Sequence, residues 1–211
     1  MTPLQVLASM REQLGRLGVP APMRKSRDAY SVLISTVISL RTRDRVTEEV
    51  SSRLLERAST PRELVELDPE ELQELLRPAG FFRQKARQLR GIAESVIRNH
   101  GGEVPDTMEE LLELPGVGRK TANFIMGMVF GKPSICVDVH VHRISNRMGL
   151  VKTKSPEETE YALQKLLPES EWTDLNHTMV RFGQRVCRPV KPLCEECTFS
   201  GSCPSSRKDK P

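Results

Sequence analysis

Leu114-Pro115-Gly116-Val117-Gly118-Arg119-Lys120-Thr121-Ala122 is the stretch on which the reading of this chain turns. Ahead of it, Asp106-Thr107-Met108-Glu109 has the form of a capping box opening a short helix with apolar positions at Leu111, Leu112 and Leu114. Behind it, Thr121 to Phe130 reads as a second helix, stopped by Gly131 and then Pro133. A turn with one proline and two glycines joins the two. Glycines let a backbone turn tightly and leave its N–H groups uncovered. At the positive end of a following helix, such N–H groups suit a phosphate. Taken alone, the stretch is equally a plain connection between packed helices, with Lys120 a solvated charge.

The rest of the chain reads as helical. Leu4, Leu7, Met10, Leu14 and Leu17 recur at helical spacing over residues 3 to 17, and Pro20 and Pro22 end that helix. Tyr30 to Leu40 is the most apolar run; with helical neighbours on both sides it predicts a central buried helix rather than a strand. Asp44 is placed to cap the next helix, which carries Val46, Val50 and Leu54. Thr60-Pro61-Arg62-Glu63 and Asp68-Pro69-Glu70-Glu71 each supply a cap, a proline at the first helical position and a glutamate two residues later. A longer basic helix follows from Phe81 to His100, closed by Gly101 and Gly102. Ser155-Pro156-Glu157-Glu158 starts another, and Trp172 to Val186 is the last long one. No alternating run is long enough for a sheet, so the fold class is all-α.

Composition narrows the partners. The 211 residues hold 37% hydrophobic and 28% charged side chains, with aromatics at only 4%, so the core rests on Leu, Val, Ile and Met. A net charge of +4 permits a polyanionic partner without demanding one. Met1 to Arg16 mixes Leu and Val with Arg and Glu, unlike a signal peptide, and no apolar run is long enough to span a membrane. A reducing cytoplasmic setting is expected, so clustered cysteines point to metal ligation before disulfides.

Four such cysteines lie together. Cys187, Cys194, Cys197 and Cys203 are separated by six, two and five residues, on a stretch too rich in Pro and Gly for a regular helix. Four thiolates from so short a loop can converge on one centre, either zinc or an iron–sulfur cubane. From Arg181 to Pro211 there are seven Lys or Arg against three Asp or Glu, which makes a basic edge, although Arg207 to Lys210 also suit a solvated tail. The fifth, Cys136, lies between Ile135 and Val137 and reads as a buried packing residue. Asp138, eighteen residues after Lys120, precedes a helix running to Met148 and on its own reads as a helix cap.

Three motifs in order give these pieces a common meaning. Leu114 to Ala122 resembles the helix-hairpin-helix of the endonuclease III family of DNA repair glycosylases. Val137-Asp138-Val139-His140-Val141-His142-Arg143 is similar to that family's Val-Asp-x-His-x-x-Arg, and the six, two and five spacing matches its [4Fe–4S] loop. The likeness covers essentially the whole chain.

The resemblance implies a bundle domain over residues 22–132 and a second helical domain from residues 1–21 and 133–211, with damaged double-stranded DNA in a cleft between them. It implies that Gly116, Val117, Gly118 and Arg119 grip a DNA phosphate while Lys120 attacks C1′ of the sugar, and that Asp138 stabilises the positive charge left there. Lys120 must attack as a neutral amine, a form that partial burial and the helix N-terminus favour. Loss of a C2′ proton from the Schiff base then cuts the strand on the 3′ side, with no catalytic metal. A [4Fe–4S] cluster on Cys187, Cys194, Cys197 and Cys203 would pin a loop carrying Arg188 and Lys191 against phosphates.

Two loops, Ser39 to Asp44 and Gly80 to Phe82, would fill the gap left by a flipped base. Asp44 agrees with the family there. Arg41 stands where relatives commonly carry glutamine and Phe81 where they carry leucine; arginine can still hydrogen-bond an orphan base and phenylalanine can still wedge. His140 is a further candidate contact, equally a positioning histidine, while His142 reads as an ordinary polar residue. The expected function is a bifunctional glycosylase and AP lyase for oxidised pyrimidines, working as a monomer. The alternatives are a monofunctional mismatch or adenine-type glycosylase and a non-catalytic DNA-binding module. Lys120 disfavours the first, and the eight residues after Cys203 leave no room for the adenine enzymes' additional C-terminal domain.

Overall fold

The computed structural model describes residues 1–20 and 28–207; Pro22 and the tail beyond Arg207 lie outside them. The described residues form eleven helices and no strand. The first, α1 (Pro3–Arg16), opens on a full capping box between Thr2 and Gln5 and buries Val6, Leu7, Met10 and Leu14. Leu4 and Leu17, on the expected apolar stripe, are 45% and 50% exposed. They sit at the ends of the helix, where the neighbours that cover its middle run out.

Two compact units divide the chain: Lys25–Phe130, and Met1–Arg24 together with Gly131–Pro211. The first is built on the apolar run, which is a helix, α2 (Ala29–Ser39), with Leu33, Ile34, Val37 and Ile38 fully buried. Each such side chain is worth about 1.5–3 kcal/mol of transfer free energy. Around it lie α3 (Asp44–Arg57), α4 (Pro61–Glu66), α5 (Pro69–Leu76), α6 (Phe82–His100), α7 (Met108–Glu113) and α8 (Arg119–Met128). Helix α2 packs on α3, α6 and α8, while α4 and α5 lie along α6.

Caps decide where these helices begin. Thr60 makes the capping box expected of it, and Asp68 accepts from the Glu70 N–H. Two expected caps are displaced by one residue. Asp44 is the first residue of α3 and makes no capping bond, because Arg43 holds the extended cap conformation; the carboxylate still favours the positive helix end. Helix α7 is capped by Thr107, not Asp106, with the Glu110 N–H donating to the Thr107 hydroxyl, and Leu112 is left on the exposed side. Helix α8 also starts earlier than expected, at Arg119, since Gly118 takes the extended conformation that lets the next residue turn helical.

In the second unit, α1 packs on α11 (Glu169–Arg185), which also packs on α9 (Val139–Arg147); α10 (Pro156–Leu166) lies against α9. Ser155 caps α10 as its sequence predicts. Helix α11 begins three residues before Trp172, with Pro168 as its cap. The segment from Cys187 to Arg207 contains no helix or strand.

Candidate functional site

The hairpin between α7 and α8 turns on Gly116, whose φ of +72° is open to glycine at no steric cost. A side chain there would also meet Gln88, whose amide donates to the Gly116 carbonyl at 3.0 Å. Val117 is buried, and its N–H donates to the Leu114 carbonyl at 3.0 Å. Among the proposed phosphate-gripping residues, Val117 therefore anchors the turn from inside. Gly118, Arg119 and Lys120 bring the first turn of α8 to the mouth of the hairpin, the place where helical N–H groups have no carbonyl of their own helix to meet. Lys120 is an exposed residue there.

In the same unit, the loops that precede α3 and α6 carry Arg41 and Phe81, both exposed. The Arg41 guanidinium carbon lies 5.5 Å from the Phe81 ring centroid, a cation–π pair. Both residues have left-handed backbone, at φ 55° and 59°. Among the described residues only one other non-glycine, Lys191, does so, at φ 51°. Bulky side chains in that region cost about 1–3 kcal/mol each and are kept where surrounding structure imposes them, commonly at functional sites. All three are residues that the sequence reading assigned to DNA.

The other unit carries Asp138 at the N-cap of α9, where Oδ1 accepts from the N–H groups of His140 and Val141 at 2.8 and 2.9 Å. Cap and candidate catalytic carboxylate are thus the same group, with Oδ2 left outside the cap. One turn further along α9, Arg143 Nη2 donates to His140 Nδ1 and to the Cys187 carbonyl, each at 3.0 Å. A guanidinium can only donate, so Nδ1 accepts and the ring carries its proton on Nε2. Burial lowers the pKa of Arg143, while Cys187 and Asp138 oppose that shift. Gly183 of α11 makes room for this pair: a Cβ there would stand 2.4 Å from His140 Nδ1 and 2.9 Å from Arg143 Nη2. His142 bonds Thr159 across to α10 and is a half-buried polar residue, as read.

Helix α9 also holds the cysteine loop. Arg147 donates to the carbonyls of Arg188 and Pro189 at 2.7 and 2.9 Å and approaches Cys187 Sγ at 3.7 Å. From α1, the buried Gln13 amide bonds the Glu196 carbonyl and the Thr198 N–H. Cys187, Cys194, Cys197 and Cys203 are free thiols lining one partly open pocket, walled by apolar side chains including Phe182, Val186 and Phe199. Burial pushes the Cys197 and Cys203 thiols up, and the other cysteines add to it. Four sulfurs crowded in an apolar pocket form a donor set that becomes favourable as thiolates only around a cation. Among the described residues, no three His, Cys, Asp or Glu side chains close on a point that would hold a single ion. Arg188 and Lys191 are exposed on this loop, on either side of the exposed Val190, and Cys136 is buried.

A family model described as the HhH-GPD superfamily base excision DNA repair protein matches residues 34–169. The Endonuclease III of Thermotoga maritima is 53% identical over 184 residues, taking in 87% of this chain and 86% of that protein. The chain belongs to the endonuclease III family. A solved endonuclease III–DNA covalent intermediate, trapped as an estranged-adenine complex, matches with a TM-score of 0.88 at 34% identity, covering 99% of this chain and 98% of that one. A thermostable thymine-DNA glycosylase matches with a TM-score of 0.84 at 26% identity, over 96% of this chain and 95% of its own. This endonuclease III family member is accordingly an enzyme of base excision repair, a DNA glycosylase with AP lyase activity. Among the described residues no helix is long and apolar enough to cross a membrane.

Sequence reasoning missed the residues that hold these segments in place. Arg143 stood inside a quoted motif without a role. Gly183, a glycine in the middle of a long helix, and Lys85, a charge on the apolar stripe of α6 with Leu89, Ile92 and Val96, were both visible as departures from pattern.

Proposed function

We propose that Lys120 is the nucleophile and Asp138 the charge-stabilising carboxylate of a bifunctional glycosylase acting on oxidised pyrimidines in duplex DNA. The Lys120 amine attacks C1′ as the C1′–N bond to the damaged base breaks, and the base leaves with its electron pair. Asp138 stabilises the positive charge that develops at C1′ and accepts the proton that the lysine nitrogen loses once it is bonded to C1′. The C1′–O4′ bond then opens, O4′ taking up a proton, and the protonated imine so formed makes the C2′ proton acidic. Its loss expels the 3′ phosphate by β-elimination, and water releases the enzyme.

The observation that carries this reading is the lysine itself: an exposed Lys120 on the first turn of α8, directly after the Gly116 turn, in a chain 34% identical to an endonuclease III trapped covalently on DNA. Around it, Gly118 and Arg119 would take the phosphate. Arg41 would read the orphan base, with Phe81 as wedge. Asp44, His140, Arg188 and Lys191 complete the proposed DNA contacts. Cys187, Cys194, Cys197 and Cys203 would hold a [4Fe–4S] cluster, supported by their spacing and by the four-thiol donor set of the pocket. Its contribution is to fix the loop that presents Arg188 and Lys191.

Borohydride added during reaction with a thymine glycol duplex tests the assignment. A covalent adduct on Lys120 is expected. Base release without an adduct would instead mean a monofunctional enzyme, and binding with neither a DNA-binding module. A colourless protein containing zinc would overturn the cluster.

A further inference from the structure

Lys85 has no part in the chemistry above, yet it is the one lysine in the buried face of α6, only 4% exposed. Its ammonium has three donors, and all three are used. Nζ lies 2.8 Å from the Leu40 carbonyl, 2.6 Å from the Thr42 hydroxyl and 2.7 Å from the Gly80 carbonyl. Two of these acceptors flank Arg41 in the loop before α3, and the third immediately precedes Phe81 in the loop before α6. A side chain on residue 80 would hold the loops apart, since its Cβ would fall 2.7 Å from the Arg41 carbonyl oxygen. Arg41 and Phe81, next to these acceptors in sequence, are left-handed and carry bulky side chains, a conformation kept only where surrounding structure imposes it. Burial lowers the pKa of Lys85. A methionine would fill the space without burying a charge, so packing alone does not account for a lysine here.

We propose that Lys85 is a positioning residue that ties the two loops into one rigid two-pronged probe, so that the Phe81 wedge and the Arg41 guanidinium enter the duplex together and at a fixed separation. The proposal rests on the reading of Arg41 and Phe81 given above. Its consequence is specificity: the Arg41 guanidinium can discriminate the base opposite the lesion only while Phe81 and the clamp hold it in place.

The test measures single-turnover excision of thymine glycol opposite each of the four bases, together with strand cleavage at an abasic site in single-stranded DNA, where no base needs to be extruded. Lys85→Met is expected to slow excision from paired duplex about tenfold or more and to flatten the differences among opposite bases, with single-stranded cleavage within about twofold of the parent. Lys85→Arg, which keeps the charge and donors, is expected to recover part of the opposite-base preference. In an Arg41→Ala, Phe81→Ala background, Lys85→Met should add nothing further. Thr42→Val removes one acceptor and carries the same signature at smaller amplitude; it decides the matter if Lys85→Met does not fold. Equal loss on both substrates, or a full additional loss in the double-alanine background, overturns the clamp. If Arg41→Ala and Phe81→Ala themselves leave duplex excision and base preference untouched, the reading of those two residues has failed instead.

Discussion

Asp138 does two things with one carboxylate, and the two can be separated. Its Oδ1 closes the N-terminus of α9, and its charge is the proposed stabiliser of the sugar cation. Asparagine caps a helix about as well as aspartate, whereas alanine does not. Asp138→Asn is therefore expected to leave the denaturation midpoint nearly unchanged while lowering excision by about 10²–10³-fold. Asp138→Ala should lose activity similarly and also about 1 kcal/mol of stability. Urea melts set beside single-turnover rates check both. If Asp138→Asn is fully active, the residue is only a cap.

Helix α9 joins three parts of its unit: Asp138 at its start, the His140–Arg143 pair in its middle, and Arg147 on the cysteine loop at its end. Its seat on α11 depends on Gly183, which the close approach of His140 requires. Gly183→Ala would ordinarily stabilise a helix, but here overpacking is expected to cost about 1–3 kcal/mol, read as a lowered urea midpoint. An unchanged or raised midpoint would show that the pair moves aside freely. The same helices show what the sequence made legible. Local signals were enough for the caps at Thr60, Asp68 and Ser155 and for the helical nature of Tyr30 to Leu40, because the side chain and the N–H it meets are two or three residues apart. The starts of α3 and α7 slipped by one residue: before α7, Asp106 and Thr107 both bear capping groups and backbone conformation chooses between them, while before α3 Arg43 takes the cap position although its side chain makes no capping bond. Lys85, Gly183 and Gln13 stayed unread because their partners lie far along the chain: Lys85 meets Leu40, and Gln13 meets Glu196. Nothing local says where a buried polar atom will find its acceptor.

For the molecule as a whole, the balance of forces on DNA is set by phosphate contacts more than by net charge, which is only +4. Arg188 and Lys191 are exposed on a loop that α9 and α1 hold by backbone carbonyls and a buried glutamine. Replacing either with alanine should reduce the slope of log affinity against log salt by about one and weaken undamaged and damaged duplexes alike. Fluorescence anisotropy between low and physiological salt measures this. An unchanged slope would remove the loop from the interface. Lys120 is a different matter, because its contribution is covalent.

The most direct measurement is incision of a thymine glycol duplex by the parent protein and by Lys120→Gln, with borohydride trapping run alongside. The account predicts that the parent gives a covalent adduct and a nicked strand, while the glutamine variant folds, binds the duplex and gives neither. Incision by Lys120→Gln at the parent's rate would contradict it.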